Sequence, residues 1–279
     1  MNKSGRGILT FAENTEKQDY LSHALLQAKW LKKFNPDIPY AVVVNSLSSE
    51  KITDEHKKYF DYIIPLQEDW NESDSEWRLQ NEAQVFQLTP FKETIKVESD
   101  LIIHQSIEHW WHGLRLRDVV ISKGSVNYFG ETNRSMFYRE VFQQNELPDV
   151  YNGLMYFRYS ETAYQFFEIA KAIRENWQSV SNQLVKCTEK YPSTDLLYSI
   201  TAKVFGEERV TIPDLFFFRF CHMKSAHNGF PEGADWWDHL LFETDYQIIR
   251  INHQLQHYPL HYQNKEFLDF YERNYTELL

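Results

Sequence analysis

The sequence predicts an α/β protein built on a mostly parallel sheet covered by helices on both faces. Three observations lead there. Short apolar runs such as GILTFA, AVVV and DVVIS carry no polar alternation, which marks strands buried on both sides. Segments with helical spacing of apolar residues alternate with those runs. No internal repeat, low-complexity tract or Pro/Gly/Ser-rich linker divides the 279 residues, so one domain over 1–279 is expected.

Gly7–Ala12 is the first strand-like run, and Lys17–Phe34 follows with helical spacing at Tyr20, Ala24 and Leu31. Pro36 and Pro39 close that helix before the buried strand Ala41–Val44. Residues 53–60 read as helix and Tyr62–Pro65 as another short strand. Trp77–Leu88 has helical propensity throughout and stops before Pro90. A strand in Thr94–His104, a helix around Ile107–Leu114, the strand Asp118–Ser122 and a strand from Asn152 come next. Ser160 is placed to cap the following helix, whose inward face carries Ala163, Phe166, Phe167, Ala170, Ile173 and Trp177. From about residue 206 the regularity gives way to aromatic, His-rich sequence. The expectation is a core over 1–205 and a C-terminal lobe over 206–279 that closes over the sheet. Within that lobe the apolar run DLFFFRF after Pro213 reads as a strand returning through the core.

Composition narrows the function. With a net charge of −11 the molecule as a whole is not expected to be drawn to polyanions, and a nucleic-acid partner would need a local basic patch, of which no dense Lys/Arg run gives a sign. Two cysteines, Cys187 and Cys221, show no metal-type spacing and fit a reducing compartment. The start MNKSGRGILTF has no apolar signal region, and LFFF at Leu215–Phe218 is too short to span a bilayer. A cytoplasmic protein with no membrane partner is expected. G-x-S-x-G, P-loop, G-x-G-x-x-G and Cys/His zinc patterns are all missing from the sequence.

The chemistry centres on TIKVESDLIIH, where Glu98 and Asp100 interrupt an apolar run. Buried carboxylates are costly unless something cationic meets them. Continued strand geometry would turn Ser99 away and put both acids on one side of the chain. In open α/β sheets that end of a strand is where ligands bind. Two hard carboxylates there suit Mg²⁺ or Mn²⁺, while the plainer reading is a strand end emerging into solvent.

In its context FKETIKVESDLII resembles the segment carrying the Asp-x-Asp motif of GT-A-fold glycosyltransferases, the nucleotide-diphospho-sugar transferases. The likeness runs in order along the chain and implies roles residue by residue. GILTFAENT resembles the first strand and turn, which implies that Thr10, Phe11 and Ala12 receive the base and ribose. Arg78 and Asn81, one helical turn apart, fall on the helix that leans over the donor in that family. Glu98, Ser99 and Asp100 take the Asp-x-Asp positions. YNGLMYFRYSETAYQFF resembles the Asn-small-Gly strand, placing Asn152 and Gly153 at the donor sugar. PSTDLLYSI resembles the family's acidic helix start, giving Asp195 a catalytic or acceptor-facing role beside Asn152. FCHMKSAHNGF resembles the C-terminal His segment of the glycogenin-like retaining branch, which implies His222 as third metal ligand and Lys224 at the diphosphate.

Each residue also has a plainer reading. Asn152-Gly153 is a turn signal, Asp195 an acid in a helix's first turn, His222 a core or surface histidine, and Lys224 a solvated charge. Trp110-Trp111 and Trp236-Trp237 are core residues or an aromatic platform for a sugar or base. Three departures from the resembled family stand out. Glu98 replaces the usual Asp, Leu196 stands where retaining enzymes often carry Gln, and the His segment lacks the usual Gly after it and the Pro-Trp after its Lys.

The resemblance implies a metal-dependent transfer from a nucleoside-diphosphate sugar, UDP-type, to a hydroxyl. The layout is also similar to glycosyltransferases of tailed bacteriophages. That likeness adds a hydroxymethylated DNA base to glycans as an acceptor, and the host cytoplasm as location. Leu196 and the altered His segment favour the alternative of a non-catalytic GT-A-like module that binds a sugar nucleotide or glycan.

Overall fold

The computed structural model describes residues 3, 5–71, 80–133, 139–212, 216–230, 239–245 and 248–275. Strands β1 (Arg6–Ala12), β2 (Tyr40–Val44), β3 (Tyr62–Pro65) and β4 (Glu93–Val97) lie parallel in one sheet. The two-residue strand β5 (Leu101–Ile102) follows β4, and β6 (Val119–Lys123) and β7 (Val150–Arg158) complete the sheet. Its order is β3-β2-β1-β4-β7-β6, with β7 antiparallel to both its neighbours.

Alternation along β1 decides which layer each side chain joins. Ile8 packs with Val42, Ile95 and Val97 beneath the helices Tyr20–Phe34 and Trp110–Leu114. Leu9 and Phe11 point the other way, joining Met155 and Phe157 under the helices Glu161–Glu175 and Thr194–Phe205. Both faces are therefore dry, which is why these strands read as unbroken apolar runs. The expected stripe from Ala163 to Trp177 is buried, and Ser160 caps its helix by accepting from the Ala163 N–H at 3.2 Å. Trp110 and Trp111 are core residues, both fully buried, whereas Trp236 and Trp237 lie outside the described residues.

Past the core come β8 (Cys221–His222), β9 (Phe242–Thr244), β10 (Ile249–Ile251), β11 (Gln254–Leu255) and β12 (Leu260–His261). β9 to β11 form an antiparallel meander. β12 sits between β5 and β8, antiparallel to the first and parallel to the second. Its sheet and the helix Phe267–Tyr275 pack Leu260, Phe267 and Tyr271 against Leu26 and Trp30 of the first long helix. Among the described residues no helix is long and apolar enough to cross a membrane.

Three sequence expectations are corrected. The first long helix starts at Tyr20, not Lys17, because Asp19 accepts from the Ser22 N–H at 3.2 Å and caps it there. The helix expected over 77–88 is a 3₁₀ segment, Gln80–Gln84, and a single α-turn, Val85–Leu88; its first three residues lie outside the described ones. Here the amides of Asn81 and Gln84 bond to the chain at 68–70, and this tertiary network wins over regular helix. In DLFFFRF the described residues 216–220 form no strand, although Phe218 and Phe220 are buried; the strand is Cys221–His222.

Gly7 is required by a close approach. A Cβ there would stand 2.4–2.6 Å from the ring of Phe91, which is buried under β1. Gly7→Ala is expected to cost about 1–3 kcal/mol through overpacking, read as a lowered midpoint in urea with unchanged m-value.

Candidate metal and donor site

The acidic pair sits in a tight turn between β4 and β5, not on a continuing strand. The Leu101 N–H donates to the Glu98 carbonyl at 3.2 Å, and Gln27 Nε2 donates to that same carbonyl at 2.6 Å. Gln27 also reaches the Leu101 carbonyl and is itself held by Tyr40 Oη, so the first long helix pins the turn. The two carboxylates converge because of this turn, where strand alternation was the sequence argument.

They converge on an imidazole. His261 Nε2 lies 3.3 Å from Glu98 Oε2 and 3.2 Å from Asp100 Oδ1, and one ligand atom from each of the three falls within 4.8 Å of the others. Lys265 forms an ion pair with the second oxygen of Asp100. Opposite, Gly153 leaves the space the acid needs: a Cβ there would be 3.2 Å from Glu98 Oε2 and 3.3 Å from Phe220 Cζ.

Electrostatics separate the two acids. Burial pushes Glu98 up to about 7, against the pull of His261 and Lys96. Burial also opposes ionisation of Asp100, but His261 and Lys265 outweigh it and hold that carboxyl well below its usual range. Burial disfavours charge on His261, yet the facing carboxylates raise its pKa. His222, buried beside His261 and away from direct carboxylate contact, is lowered well below the ordinary histidine value.

Two carboxylates and an imidazole are a donor set for Mn²⁺ or Mg²⁺, and the Nδ1 atoms of His222 and His261 are buried beside it without a partner. The imidazole touching both carboxylates is His261, where the sequence reading had put His222. The two rings stack at 4.7 Å and 4°, being register partners on parallel strands β8 and β12. His261 and Lys265 went unread in the sequence, although LHYQNK repeats the His-then-Lys order seen at His222 and Lys224.

The other expected residues divide. Asn152 and Gly153 lie at the start of β7, beside the acids. Asp195, on the first turn of its helix, accepts the Asn152 N–H at 2.7 Å and Arg139 Nη2 at 3.0 Å. Arg139 is clamped 3.9 Å from the Phe142 and Tyr151 rings, so Asp195 is held by both oxygens. Lys224 leads out of β8 into the 3₁₀ turn Ser225–His227. Thr10 donates to the Val97 carbonyl at 2.9 Å, while Phe11 and Ala12 are core, and Ser99 is buried in the acidic turn. The Asn81 amide is turned inward, donating to Glu13 at 2.6 Å and accepting from the Trp70 N–H at 2.7 Å. Arg78 lies outside the described residues. Leu196 is fully buried in the core.

No family model matches the sequence, and no curated protein does. Solved structures do match in fold. The apo WbbM bifunctional glycosyltransferase superposes with a TM-score of 0.52 at 13% identity, over 81% of this chain and 41% of that one. The chain thus spans well under half the length of that protein. Mouse xyloside xylosyltransferase 1 gives 0.51 at 12% identity, over 84% of this chain and 89% of that one. The fold is GT-A-type, with a central mostly parallel sheet flanked by helices.

Proposed function

We propose that this protein is a metal-dependent glycosyltransferase that moves a sugar from a nucleoside diphosphate, UDP-type, to a hydroxyl acceptor. The observation that carries the reading is the convergence of Glu98, Asp100 and His261 beyond the carboxyl end of β4 in a GT-A sheet. Glu98, Asp100 and His261 would hold Mn²⁺ or Mg²⁺, which supplies Lewis-acid charge for the diphosphate leaving group. Lys265 adds a fixed cation on the Asp100 side of the site, and Lys224 follows the neighbouring strand β8. Asn152 and Gly153 border the donor sugar, with Asp195 orienting the Asn152 backbone from behind. The chain works as one unit over 1–279, in which the 206–279 segment brings His261 and Lys265 to the acids of the 1–205 core.

The test is a thermal-shift screen of nucleotides and sugar nucleotides with and without Mn²⁺, followed by donor hydrolysis. A ligand at 100 times its Kd adds about 2.7 kcal/mol of stability, and the shift should require the metal. No shift with any nucleoside diphosphate and Mn²⁺ would rule the reading out. The burial of Leu196 favours one second reading, a module that binds the donor without turning it over. Metal-dependent binding without hydrolysis or transfer would establish that module.

The two histidines make separable predictions. His261→Ala should weaken Mn²⁺ affinity about 10–100-fold with UDP present, because it removes the imidazole in carboxylate contact. His222→Ala should cost less than His261→Ala, acting through the stacked ring. Calorimetric titration of Mn²⁺ into both variants decides the order, and the reverse ranking would restore His222 as the ligand.

A further inference from the structure

The two oxygens of Asp100 serve different partners. Oδ1 faces His261 Nε2 at 3.2 Å and belongs to the group that could hold a metal, whereas Oδ2 is ion-paired with the Lys265 ammonium. A divalent cation held by that group would share one carboxylate with a positive charge already placed on its other oxygen. The Asp100 side chain is only 6% exposed, so little water screens the two cations from each other. Like charges brought together in such surroundings repel strongly.

The local fold delivers Lys265 to this position through a strained turn. β12 ends at His261, and Gln263 takes a φ of +61°, the left-handed region that favours glycine. Asn264 closes the turn: its N–H donates to the Tyr262 carbonyl at 2.6 Å, and its Oδ1 accepts from the Glu266 N–H at 3.1 Å. This reversal lets His261 and Lys265 meet the same carboxylate. A non-glycine residue persists in that region where the surrounding structure over-determines it. Asp100 is not the only resting place for the ammonium, because Nζ also lies 5.2 Å from the centre of the Tyr20 ring. The Lys265 side chain is 23% exposed, so the lysine has a way out to water that the aspartate lacks.

We infer that Lys265 is an internal counter-cation that competes with the metal for Asp100, so that the metal is held weakly until an anionic nucleotide arrives. The inference rests on the glycosyl-transfer reading above and adds to it the way the site fills. Without nucleotide, a metal ion must take Asp100 from Lys265. With nucleotide, the negative charge of the diphosphate offsets the crowding of the two cations. Metal and nucleotide then strengthen each other's binding by the same factor, and the lysine is the source of that coupling.

The experiment titrates Mn²⁺ by calorimetry into wild-type protein, Lys265→Met and Lys265→Arg, each alone and with saturating UDP. Methionine keeps most of the stem and removes the charge; arginine keeps the charge. Without UDP, Lys265→Met should bind Mn²⁺ about 10-fold or more tightly than wild type, and Lys265→Arg should stay within about 3-fold of it. The gain in Mn²⁺ affinity that UDP brings should be about 10-fold smaller in Lys265→Met than in wild type. A lysine that only supports the fold predicts the opposite sign, since a damaged site binds metal more weakly. The inference is overturned if Lys265→Met binds Mn²⁺ no more tightly than wild type, if Lys265→Arg gains as much, or if the effect of UDP is undiminished. If Lys265→Met does not fold, a crystal structure of wild-type protein with Mn²⁺ and UDP decides. Lys265 Nζ parted from Asp100 upholds the competition, and an intact pair beside the bound metal overturns it. Mn²⁺ that binds none of the three proteins, with or without UDP, sinks the glycosyl-transfer reading and this inference together. The other failures sink this one alone.

Discussion

Asp100→Asn is expected to lower Mn²⁺-dependent donor hydrolysis or transfer by about 100-fold or more while leaving the fold intact. Asparagine fills the same volume in the β4–β5 turn, and the backbone bond from the Tyr262 N–H to the carbonyl of residue 100, at 3.2 Å, does not depend on the side chain. What changes is charge. Asp100 is the acid that His261 and Lys265 hold ionised against burial, whereas burial pushes Glu98 up to about 7. Near neutral pH Asp100 is therefore the dependable anion of the pair, and a neutral amide there removes the stronger hard ligand. Lys265 loses the partner that fixes it, so part of the stability of this largely buried pair is lost as its ammonium turns to water, without loss of the fold. The check is hydrolysis of UDP-glucose and UDP-galactose at saturating Mn²⁺, alongside Mn²⁺ titration in the presence of UDP. Unchanged turnover in a folded variant would remove Asp100 from the metal site.

The contrast between Glu98 and His261 shows what a sequence can and cannot carry. The acids were legible because ionisable residues inside TIKVESDLIIH contradict an otherwise apolar strand, and that contradiction is local. The strands and the two main layers were legible for a similar reason, since unbroken apolar runs and helical stripes are periodic along the chain. His261 was not, because its role arises from pairing. β12 inserts between β5 and β8, and only that register sets His261 against the turn after β4 and stacks it on His222. Asn81 misled in the opposite sense. The resemblance put it on the helix that leans over the donor in that family, yet the chain at 68–70 and Glu13 draw its amide inward. Nothing within a window of a few residues records that competition. Glu82 and Lys96 pair between β4 and a 3₁₀ segment, a contact between elements that local spacing does not encode.

Glu13, just beyond the end of β1, yields a second large effect, this time on stability. Its Oε2 accepts from Asn71 at 2.7 Å and from Asn81 at 2.6 Å, while Oε1 is buried without a partner. Burial pushes the carboxyl up to about 8 from 4.5; the two amides pull it back, and Asp69 and Glu82 push it further. Below pH 4.5 folded and unfolded chains both bind the proton, and the full contribution of the protonated group is present. Between 4.5 and 8 the unfolded chain releases a proton that the folded chain keeps, so stability declines as pH rises. Above 8 the folded chain ionises too and the decline levels off. Glutamine at position 13 is neutral throughout and can still accept from both Asn amides through its oxygen. Glu13→Gln should therefore be nearly neutral at pH 4.5 and stabilising by on the order of 4 kcal/mol at pH 8, with the gain growing across that interval. Urea denaturation of both proteins at half-unit steps from pH 4.5 to 9 measures the difference directly. A gain that stays flat with pH would mean that Glu13 is ionised in the folded protein, with a cation or a bound ligand already facing Oε1.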